Sequence, residues 1–257
     1  MVPLPLLLIP CLLADEFTVG PHGDYATIGD ALSASSWNDI INVSPGTYTE
    51  TLWLSNGPIV QAEHGLGTVF IDGSTSTTYV VGVISGTARG LTVINAPEAG
   101  FRLGGANANV EQCEVVAPGT LGVTVFSNSP TITEVAVYDA GTHAFSFSGG
   151  GEPTVQRAIA VDPTESGFVI STGGSYANLV SFGGVTGFEI SADADLQHLA
   201  ALGASTVGLL SHVDHSFYEA VLAGNPLAVD CQDNTVEIGW AVMDDSPDSA
   251  DCNTLAF

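Results

Sequence analysis

Short apolar strands recur between Gly100 and Met243 at nearly constant intervals. The first-strand anchors lie 18 to 23 residues apart: Phe101, Val123, Phe145, Phe168, Phe188, Leu209 and Leu227. A second strand follows in each unit, with anchors at Val110, Ile132, Val155, Ala177, Leu196, Phe217 and Val236. A fixed period with small slips is typical of stacked supersecondary units.

Small or apolar residues also follow each second-strand anchor. Three positions on they are Cys113, Val135, Ala158, Val180, Leu199, Ala220 and Gly239, and five positions on they are Val115, Val137, Ala160, Phe182, Ala201, Leu222 and Ala241. Alternation with a period of two predicts strands with one face inward. One strand pair cannot bury its own inner face, so equivalent strands should stack about 4.8 Å apart. The pattern predicts an all-β fold, a parallel β-helix of roughly ten rungs.

The residues before Gly100 extend this pattern towards the N terminus. Apolar residues at helical spacing within 25–35 predict a short cap helix over the first rung, which would cover an exposed strand edge. Short apolar segments between 40 and 94, separated by glycines, predict the first rungs. No linker divides the chain, so we expect residues 15–257 to form a single β-helix domain with an acidic C-terminal tail.

Several of these segments resemble a known family. The units are similar to the right-handed parallel β-helix repeats of the pectin-lyase-like superfamily. The N-terminal segments Phe17–Val19, Gly23–Ile28, Ile40–Val43 and Pro45–Glu50 resemble the beginnings of many of these proteins, pectin methylesterases included. The resemblance covers Phe17 to Met243 and implies a right-handed β-helix. It implies no single activity, because this superfamily includes hydrolases, lyases, esterases and non-catalytic surface proteins.

The first fourteen residues have the character of an export signal. An apolar run from Leu4 to Leu13 is too short to span a bilayer, and Ala14 is a suitable cleavage position. No Lys or Arg precedes the run, which departs from the usual signal. Pro10 stands where a lipoprotein box would need a small residue before Cys11, so we do not expect a lipid anchor. We expect an extracellular or cell-surface protein without a transmembrane segment.

The charge balance is strongly acidic. The chain has 28 Asp and Glu, no Lys and three arginines, for a net charge of −25 at pH 7. Without a basic stripe to neutralise phosphates, nucleic acid is excluded as an expected partner. Polyuronates should be repelled as well. The acidity is interpreted first as a solvated surface that keeps a rod soluble.

The four cysteines fall into three environments. Cys11 lies in the predicted signal, and Cys113 occupies an inward column, where we expect a buried small hydrophobe. Cys231 and Cys252 remain, and in an exported protein we expect them to form a disulfide that closes the C-terminal end.

Catalytic motifs of the resembled family are largely missing. The segment Gly46-Thr47-Tyr48-Thr49-Glu50 matches the Gly-x-Tyr-x-Glu element of pectin methylesterases. The segments that carry their acid and nucleophile have no counterpart here, nor do the Asn-Thr-Asp, Asp-Asp and Gly-His-Gly elements of polygalacturonases. Polysaccharide lyases need a Lys or Arg base and usually calcium, which this sequence supplies poorly.

One column of polar residues is the weak catalytic candidate. Two positions after each second-strand anchor the side chain should point outward, and that column contains Gln112, Glu134, Arg157, Leu179, His198, Glu219 and Ile238. Glu134 should pair with Arg157, and His198 with Glu219, on neighbouring rungs. The functional interpretation is a groove with a carboxylate acid or base and a sugar-binding Arg. The alternative, which we favour, is an ordinary ladder of charges on an open strand face.

Two further clusters could bind metal, although we expect neither to do so. His212-Val213-Asp214-His215 could supply ligands, but such a segment is more often a polar loop. The acidic tail could hold calcium through Asp244, Asp245, Asp248 and Asp251, although no EF-hand or nonapeptide spacing supports it. We therefore expect no cofactor, with calcium as the weaker alternative.

Three classes of function stay open. The missing motifs favour an exported, non-catalytic surface or secreted protein that contacts a polysaccharide or cell-surface glycan. The alternatives are a carbohydrate-active hydrolase or lyase with a non-standard site, and a segment of a larger adhesin. Paired carboxylates in an exposed aromatic-lined cleft would favour the enzyme.

Overall fold

The computed structural model describes residues 14–243, 249–250 and 254–256, apart from the side chains of Phe217 and of residues 249–250 and 254–256. These residues form one helix, α1 (Ile28–Ala34), and 26 strands. The first thirteen strands are β1 (Glu16–Val19), β2 (Ile40–Val43), β3 (Gly46–Tyr48), β4 (Leu52–Leu54), β5 (Ile59–Ala62), β6 (Val69–Asp72), β7 (Tyr79–Arg89), β8 (Leu91–Ile94), β9 (Ala99–Glu111), β10 (Glu114–Val116), β11 (Leu121–Val125), β12 (Thr131–Thr133) and β13 (Ala136–Tyr138).

The remaining strands continue the same winding towards the C terminus. They are β14 (Phe145–Phe147), β15 (Thr154–Gln156), β16 (Ile159–Val161), β17 (Ser166–Ile170), β18 (Ser175–Phe182), β19 (Thr186–Ile190), β20 (Asp195–Leu202), β21 (Val207–Ser211), β22 (His215–Ala223), β23 (Leu227–Asp230), β24 (Thr235–Met243), β25 (Ser249–Ala250) and β26 (Thr254–Ala256).

The strands stack into three parallel sheets that surround one core. The first sheet runs through β4, the start of β7 and of β9, then β11, β14, β17, β19, β21, β23 and β25. The second sheet begins with β1, β2 and β5 and ends with β26, and the third begins with β3 and β6 and ends with the second half of β24. All pairings are parallel. The structure is a right-handed parallel β-helix of about 10 turns, as the repeat predicted.

The inward column of the first sheet is built from stacked aromatic rings. Phe145 pairs with Val123 on one side and with Phe168 on the other, and all three side chains are fully buried. The ring centroids of Phe145 and Phe168 lie 4.7 Å apart, and those of Phe168 and Phe188 lie 5.0 Å apart. The predicted stacking is confirmed. The last anchor was misplaced by two residues, because Val229 rather than Leu227 pairs with Leu209.

The fourth unit of the second and third sheets departs from the prediction by one residue. Val155 pairs with Tyr176, not with Ala177, and Tyr176 is fully buried. The inward positions that follow are Leu179 and Ser181, instead of Val180 and Phe182. Every residue from Tyr176 to Val180 except Asn178 is apolar or small, so the spacing alone could not fix which face points inward.

In the last unit, the predicted second-strand anchor lies two residues before the observed one. Phe217 pairs with Ile238, whereas Val236 pairs with His215. Ile238 is therefore buried rather than outward, and Ala241 and Met243 take the inward positions expected for Gly239 and Ala241.

The predicted cap helix is present and shorter than expected. Thr27 begins it, and the Thr27 hydroxyl accepts a hydrogen bond from the Asp30 N–H at 3.1 Å. Ile28 and Ala31 are fully buried, and the helix packs against β1, β2 and β4. The helix thus covers the apolar end of the first rung, as the sequence predicted.

Candidate functional site

The polar ladder lies at the corner between the second and third sheets. Five of its residues take a left-handed backbone conformation, with φ of 51°, 57°, 55°, 58° and 54° at Gln112, Glu134, Arg157, Asn178 and His198. The chain turns sharply at one residue in this conformation, and the side chain of that residue projects outward. The N–H groups of Gln112, Glu134 and Arg157 each donate to a carbonyl of the next rung, so the corners stack in register.

Asn178 and Trp240 replace two members of the predicted ladder. Leu179 was expected to interrupt the outward column, but it is fully buried, and the exposed residue at that corner is Asn178. At the end of the ladder Glu219 pairs with Trp240, while Ile238 points inward. Sequence reasoning could have found Asn178, because Asn tolerates the left-handed conformation better than Leu does.

Both predicted side-chain pairs are present. The Nε of Arg157 lies 2.9 Å from Oε1 of Glu134, and the Nε2 of Gln112 donates to Oε2 of the same carboxylate at 2.9 Å. The hydrogen bond from Gln112, followed by that from Arg157, lowers the pKa of Glu134 below its ordinary value. Nδ1 of His198 lies 2.6 Å from Oε2 of Glu219.

The geometry of the ladder does not suit acid–base catalysis by paired carboxylates. Glu134 and Glu219 are four rungs apart, which at about 4.8 Å per rung places them about 19 Å from each other. Glycoside hydrolysis uses carboxylates about 5–9 Å apart. The four paired side chains are 38% to 51% exposed, so the ladder lies on an open face of the β-helix.

A second Arg–Glu pair borders the ladder. Arg89 donates through Nη2 to Oε2 of Glu111 at 2.7 Å and contacts Gln61 through Nη1. Two of the three arginines are thus held by carboxylates on neighbouring rungs. These pairs connect rungs in the same way that cross-strand charge pairs connect other sheets.

The third arginine lies in an aromatic cluster that the sequence did not reveal. The Arg102 guanidinium lies 4.5 Å from the ring centre of Phe126 and 5.5 Å from that of Tyr79. The ring of Trp53 lies 5.7 Å from that of Tyr79. We call these four residues the Arg102 cluster. It covers the outward face of the first sheet at β4, β7 and β9, and Trp53 is 45% exposed.

Two glycines allow the rings of the cluster to lie flat on the sheet. A Cβ atom at Gly82 would stand 2.3 Å from the Trp53 ring, and one at Gly104 would stand 2.1 Å from the Phe126 ring. The rings therefore occupy the space that side chains would take at these two positions. The result is a surface patch in which exposed Trp53 and Arg102 lie beside the partly buried rings of Tyr79 and Phe126.

A second exposed aromatic pair lies at the far end of the ladder. Tyr218 is 65% exposed and Trp240 is 56% exposed, and both line a shallow depression with Glu219. The ring of Tyr218 meets that of His198 edge to face, with centroids 6.2 Å apart. The end of the ladder therefore combines apolar ring surface with an acid and an imidazole.

Comparisons with known proteins identify the fold. No family model matches the chain, and no curated protein matches it. A pectate lyase structure aligns over 94% of this chain and 79% of its own, with a TM-score of 0.68 and 14% identity. An alginate lyase from Paenibacillus aligns over 88% of this chain and 95% of its own, with a TM-score of 0.65 and 14% identity. The A-module of an Azotobacter vinelandii mannuronan C-5 epimerase covers 89% of both chains, with a TM-score of 0.55 and 15% identity.

The chain has the pectin-lyase-like β-helix fold. At these identities the likeness concerns the fold and carries no activity to this chain. The function must therefore be argued from this chain's own side chains.

Within this pectin-lyase-like fold, the Gly-x-Tyr-x-Glu segment has a structural role. The Glu50 carboxylate accepts hydrogen bonds from the N–H groups of Ile28 at 3.0 Å and Gly29 at 2.8 Å. It thereby caps the N terminus of α1. The Tyr48 hydroxyl donates to the Ser44 carbonyl at 2.9 Å and closes the turn before β3. In this chain the segment therefore attaches the cap helix to the first rungs.

The structure does not assemble the candidate histidine metal cluster. Nε2 of His212 lies 3.6 Å from Glu189, whereas Asp214 accepts a hydrogen bond from the Thr235 N–H at 2.7 Å. His215 is buried, and its Nδ1 lies 3.9 Å from Asp193. Among residues 14–243, no three His, Cys, Asp or Glu side chains are grouped so that they could hold a metal ion.

The remaining predictions concern the ends of the chain. The acidic candidates Asp244, Asp245, Asp248 and Asp251 lie outside the described residues, as do Cys252 and most of the predicted signal. Cys231 is buried, and its pairing with Cys252 stays a prediction. Cys113 is fully buried, as expected, and burial raises the pKa of its thiol to about 12. No helix in the described part of the chain is long and apolar enough to cross a membrane.

Proposed function

We propose that the chain is an exported, non-catalytic β-helix protein that contacts glycans through the Arg102 cluster. The observation that carries the proposal is the contact of exposed Arg102 with the partly buried rings of Tyr79 and Phe126, beside the exposed ring of Trp53 on the outward face of the first sheet. Sugar rings present apolar C–H faces that pack on aromatic rings and hydroxyl groups that accept hydrogen bonds. A guanidinium among the rings supplies donors in a fixed planar arrangement.

The charge of the chain favours neutral glycans over polyuronates. At a net charge of −25 the protein repels an anionic polymer at long range, and screening removes little of this repulsion at low salt. Arg102 is a single cation, so it would accommodate an isolated acidic group but would not compensate a regularly charged chain. We therefore expect neutral oligosaccharides to bind best.

The proposal of a non-catalytic role rests on the arrangement of the acidic side chains. Glu134 is held ionised by Gln112 and Arg157, so it is poorly suited to donate a proton. Glu219 lies beside the exposed rings of Tyr218 and Trp240, and it is paired with His198 rather than with a second carboxylate. The sequence contains no Lys, which removes the common alternative base of polysaccharide lyases.

A carbohydrate-active enzyme is the second proposal, and one observation favours it. Tyr218 and Trp240 flank the His198–Glu219 pair at the end of the ladder, which puts aromatic surface beside an acid and a base. A hydrolase or lyase with a non-standard site would act there, not at Glu134. The His198–Glu219 site and the Arg102 cluster lie at opposite ends of the β-helix, so variants at each site can distinguish the two proposed functions.

The test combines binding and turnover on the same oligosaccharide panel. We expect neutral oligosaccharides to bind the wild type, and Arg102→Ala to weaken binding at least tenfold. Arg157→Ala is the matched control, because it removes an arginine from the polar ladder and should leave binding unchanged. No release of reducing ends is expected. Release that is lost in Glu219→Gln would replace the non-catalytic proposal by the enzyme.

A further inference from the structure

The exposed aromatic pair at the end of the polar ladder lies beside a carboxylate. Tyr218 and Trp240 are each more than half exposed, and they line a shallow depression of about 330 Å³ together with Glu219 and Gly239. Glu219 follows Tyr218 in the chain and pairs with Trp240 on the next rung. The acid is therefore the immediate neighbour of both aromatic residues.

Gly239 leaves the bottom of the depression without a side chain. It precedes Trp240 on β24 and lies against the backbone of Tyr218 on β22. A Cβ atom at Gly239 would stand 2.9 Å from the Tyr218 carbonyl oxygen. A ligand in the depression therefore meets backbone at Gly239 and the two rings and the carboxylate around it.

The negative charge at the depression is only partly compensated. Nδ1 of His198 lies 2.6 Å from Oε2 of Glu219, and among the residues that the structure describes none donates a hydrogen bond to Oε1. The arginine of the ladder, Arg157, is three rungs away, about 14 Å at 4.8 Å per rung, and is paired with Glu134. The chain has no Lys and a net charge of −25, so its field attracts cations.

We propose that Tyr218, Trp240 and Glu219 bind a small quaternary ammonium cation. The face of an aromatic ring carries partial negative charge and attracts a cation within about 6 Å of its centre. A primary ammonium is strongly hydrated, so a methylated ammonium suits two open ring surfaces better. Glu219 adds a full negative charge beside the rings. This site shares no residue with the Arg102 cluster, so it stands or falls independently of the proposed glycan contact.

The two aromatic patches of the chain carry opposite charges. In the Arg102 cluster a guanidinium already lies 4.5 Å from the ring centre of Phe126, and it would repel a second cation. At the depression the charged neighbour of the rings is a carboxylate. Trp53 and Trp240 are 45% and 56% exposed, so the charge beside each ring, more than its exposure, should decide which ring a cation contacts.

Nuclear magnetic resonance of the full chain during a titration with choline chloride at constant ionic strength tests the proposal. The indole N–H signal of Trp240 should shift with a dissociation constant of about 1–10 mM, because the depression is shallow and open. The N-methyl protons of choline should shift upfield with the same constant, as groups over the face of a ring do. The indole signals of Trp37 and Trp53 should stay unchanged.

Two analogues of choline separate charge from shape. The alcohol 3,3-dimethylbutan-1-ol has the shape of choline without its charge, and it should not shift the Trp240 signal. Phosphocholine carries a phosphate that the acidic chain repels, so it should bind more weakly than choline.

Variants locate the site on the chain. Trp240→Ala and Glu219→Gln should each weaken choline binding at least fivefold, measured from the N-methyl shift. Trp37→Ala is the matched control, because Trp37 is 52% exposed and lies on the first rungs, and it should leave binding unchanged. Circular dichroism and thermal midpoints would show that the three variants keep the fold, as expected for exposed positions.

Four results would overturn the proposal. The first is a Trp240 signal that choline does not shift in a saturable way. The second is equal binding of choline and the uncharged alcohol, which would show an apolar surface only. The third is choline binding that Glu219→Gln leaves intact. The fourth is tighter binding of phosphocholine than of choline, which would assign the depression to a phosphorylated headgroup instead.

Discussion

The aromatic column inside the first sheet and the polar ladder at the corner of the other two are produced by the same repeat. In each, equivalent residues stand on successive rungs at strand spacing. Phe145 and Phe168 are fully buried and their rings stack at 4.7 Å, whereas Glu134 and Arg157 meet at 2.9 Å in the open. The comparison teaches that stacking of equivalent residues alone contributes little to the stability of the fold. Burial decides how much each column contributes to stability.

The largest expected effect comes from emptying the inner column. Phe145→Ala should reduce the free energy of unfolding by about 3–5 kcal/mol, because it leaves a cavity between Val123 and Phe168 on the neighbouring rungs. Ser146→Ala, which changes the next residue on the outward face of the same strand, should cost under about 1 kcal/mol. Chemical denaturation measures both. Equal midpoints would mean that the inward and outward faces of β14 are inverted.

The next effect tests the register of the fourth unit. Leu179→Ala should cost about 2–5 kcal/mol, because Leu179 is fully buried, whereas Val180→Ala should cost under about 1 kcal/mol. The sequence pattern predicted the opposite order for these two neighbours. A larger loss for Val180→Ala would restore the register read from the sequence.

A smaller effect concerns the corners. Ala117 is exposed and has φ of 48°, a conformation that costs an L-residue about 1–2 kcal/mol. Ala117→Gly should stabilise the protein by about 0.5–1 kcal/mol, after the greater freedom of Gly in the unfolded chain is offset. Ala136→Gly, within a strand, should destabilise it. A loss of stability in Ala117→Gly would contradict the left-handed corner.

The smallest effect is expected at the ladder and depends on pH. The pKa of Glu134 is lowered in the folded protein, chiefly by Gln112 and then by Arg157. The carboxylate therefore contributes stability above its ordinary pKa of 4.5, and this contribution is lost as pH falls through the lowered value.

Thermal midpoints of the wild type and Glu134→Gln should thus differ slightly at neutral pH and converge in acid. Gln112→Ala should reproduce part of the difference, because its hydrogen bond is the first cause of the shift. A difference that grows as pH falls would show that the sign assigned to Glu134 is wrong.

The regular spacing made the fold predictable from the sequence, while irregular spacing hid parts of the site. Phe145, Phe168 and Phe188 recur at intervals of 23 and 20 residues, each with a second large apolar residue two positions on, so their columns could be read directly. Ala177 was mistaken for Tyr176 because both lie in a run, from Tyr176 to Val180, that is small or apolar except at Asn178. A burial pattern with a period of two cannot settle a shift of one residue in such a run.

The Arg102 cluster could not be predicted for a different reason. Gly82 is paired with Trp53 from 29 residues earlier and with Arg102 from 20 residues later, so the repeat length changes within the cluster. Its contacts also depend on the missing side chains at Gly82 and Gly104, which leave room for rings from neighbouring rungs. A sequence period gives the identity of outward residues but not which rings lie over which glycine.

Nuclear magnetic resonance of side-chain N–H groups during a titration with a neutral oligosaccharide tests the proposed glycan contact most directly. The Nε–H signals of Arg102 and Arg157 and the indole N–H signals of Trp53 and Trp240 would be followed together. We predict that Arg102 and Trp53 shift with one common dissociation constant while Arg157 and Trp240 stay unchanged. Shifts confined to Trp240, or no shift at Arg102 with any oligosaccharide that binds, would contradict the assignment of the glycan-contacting face.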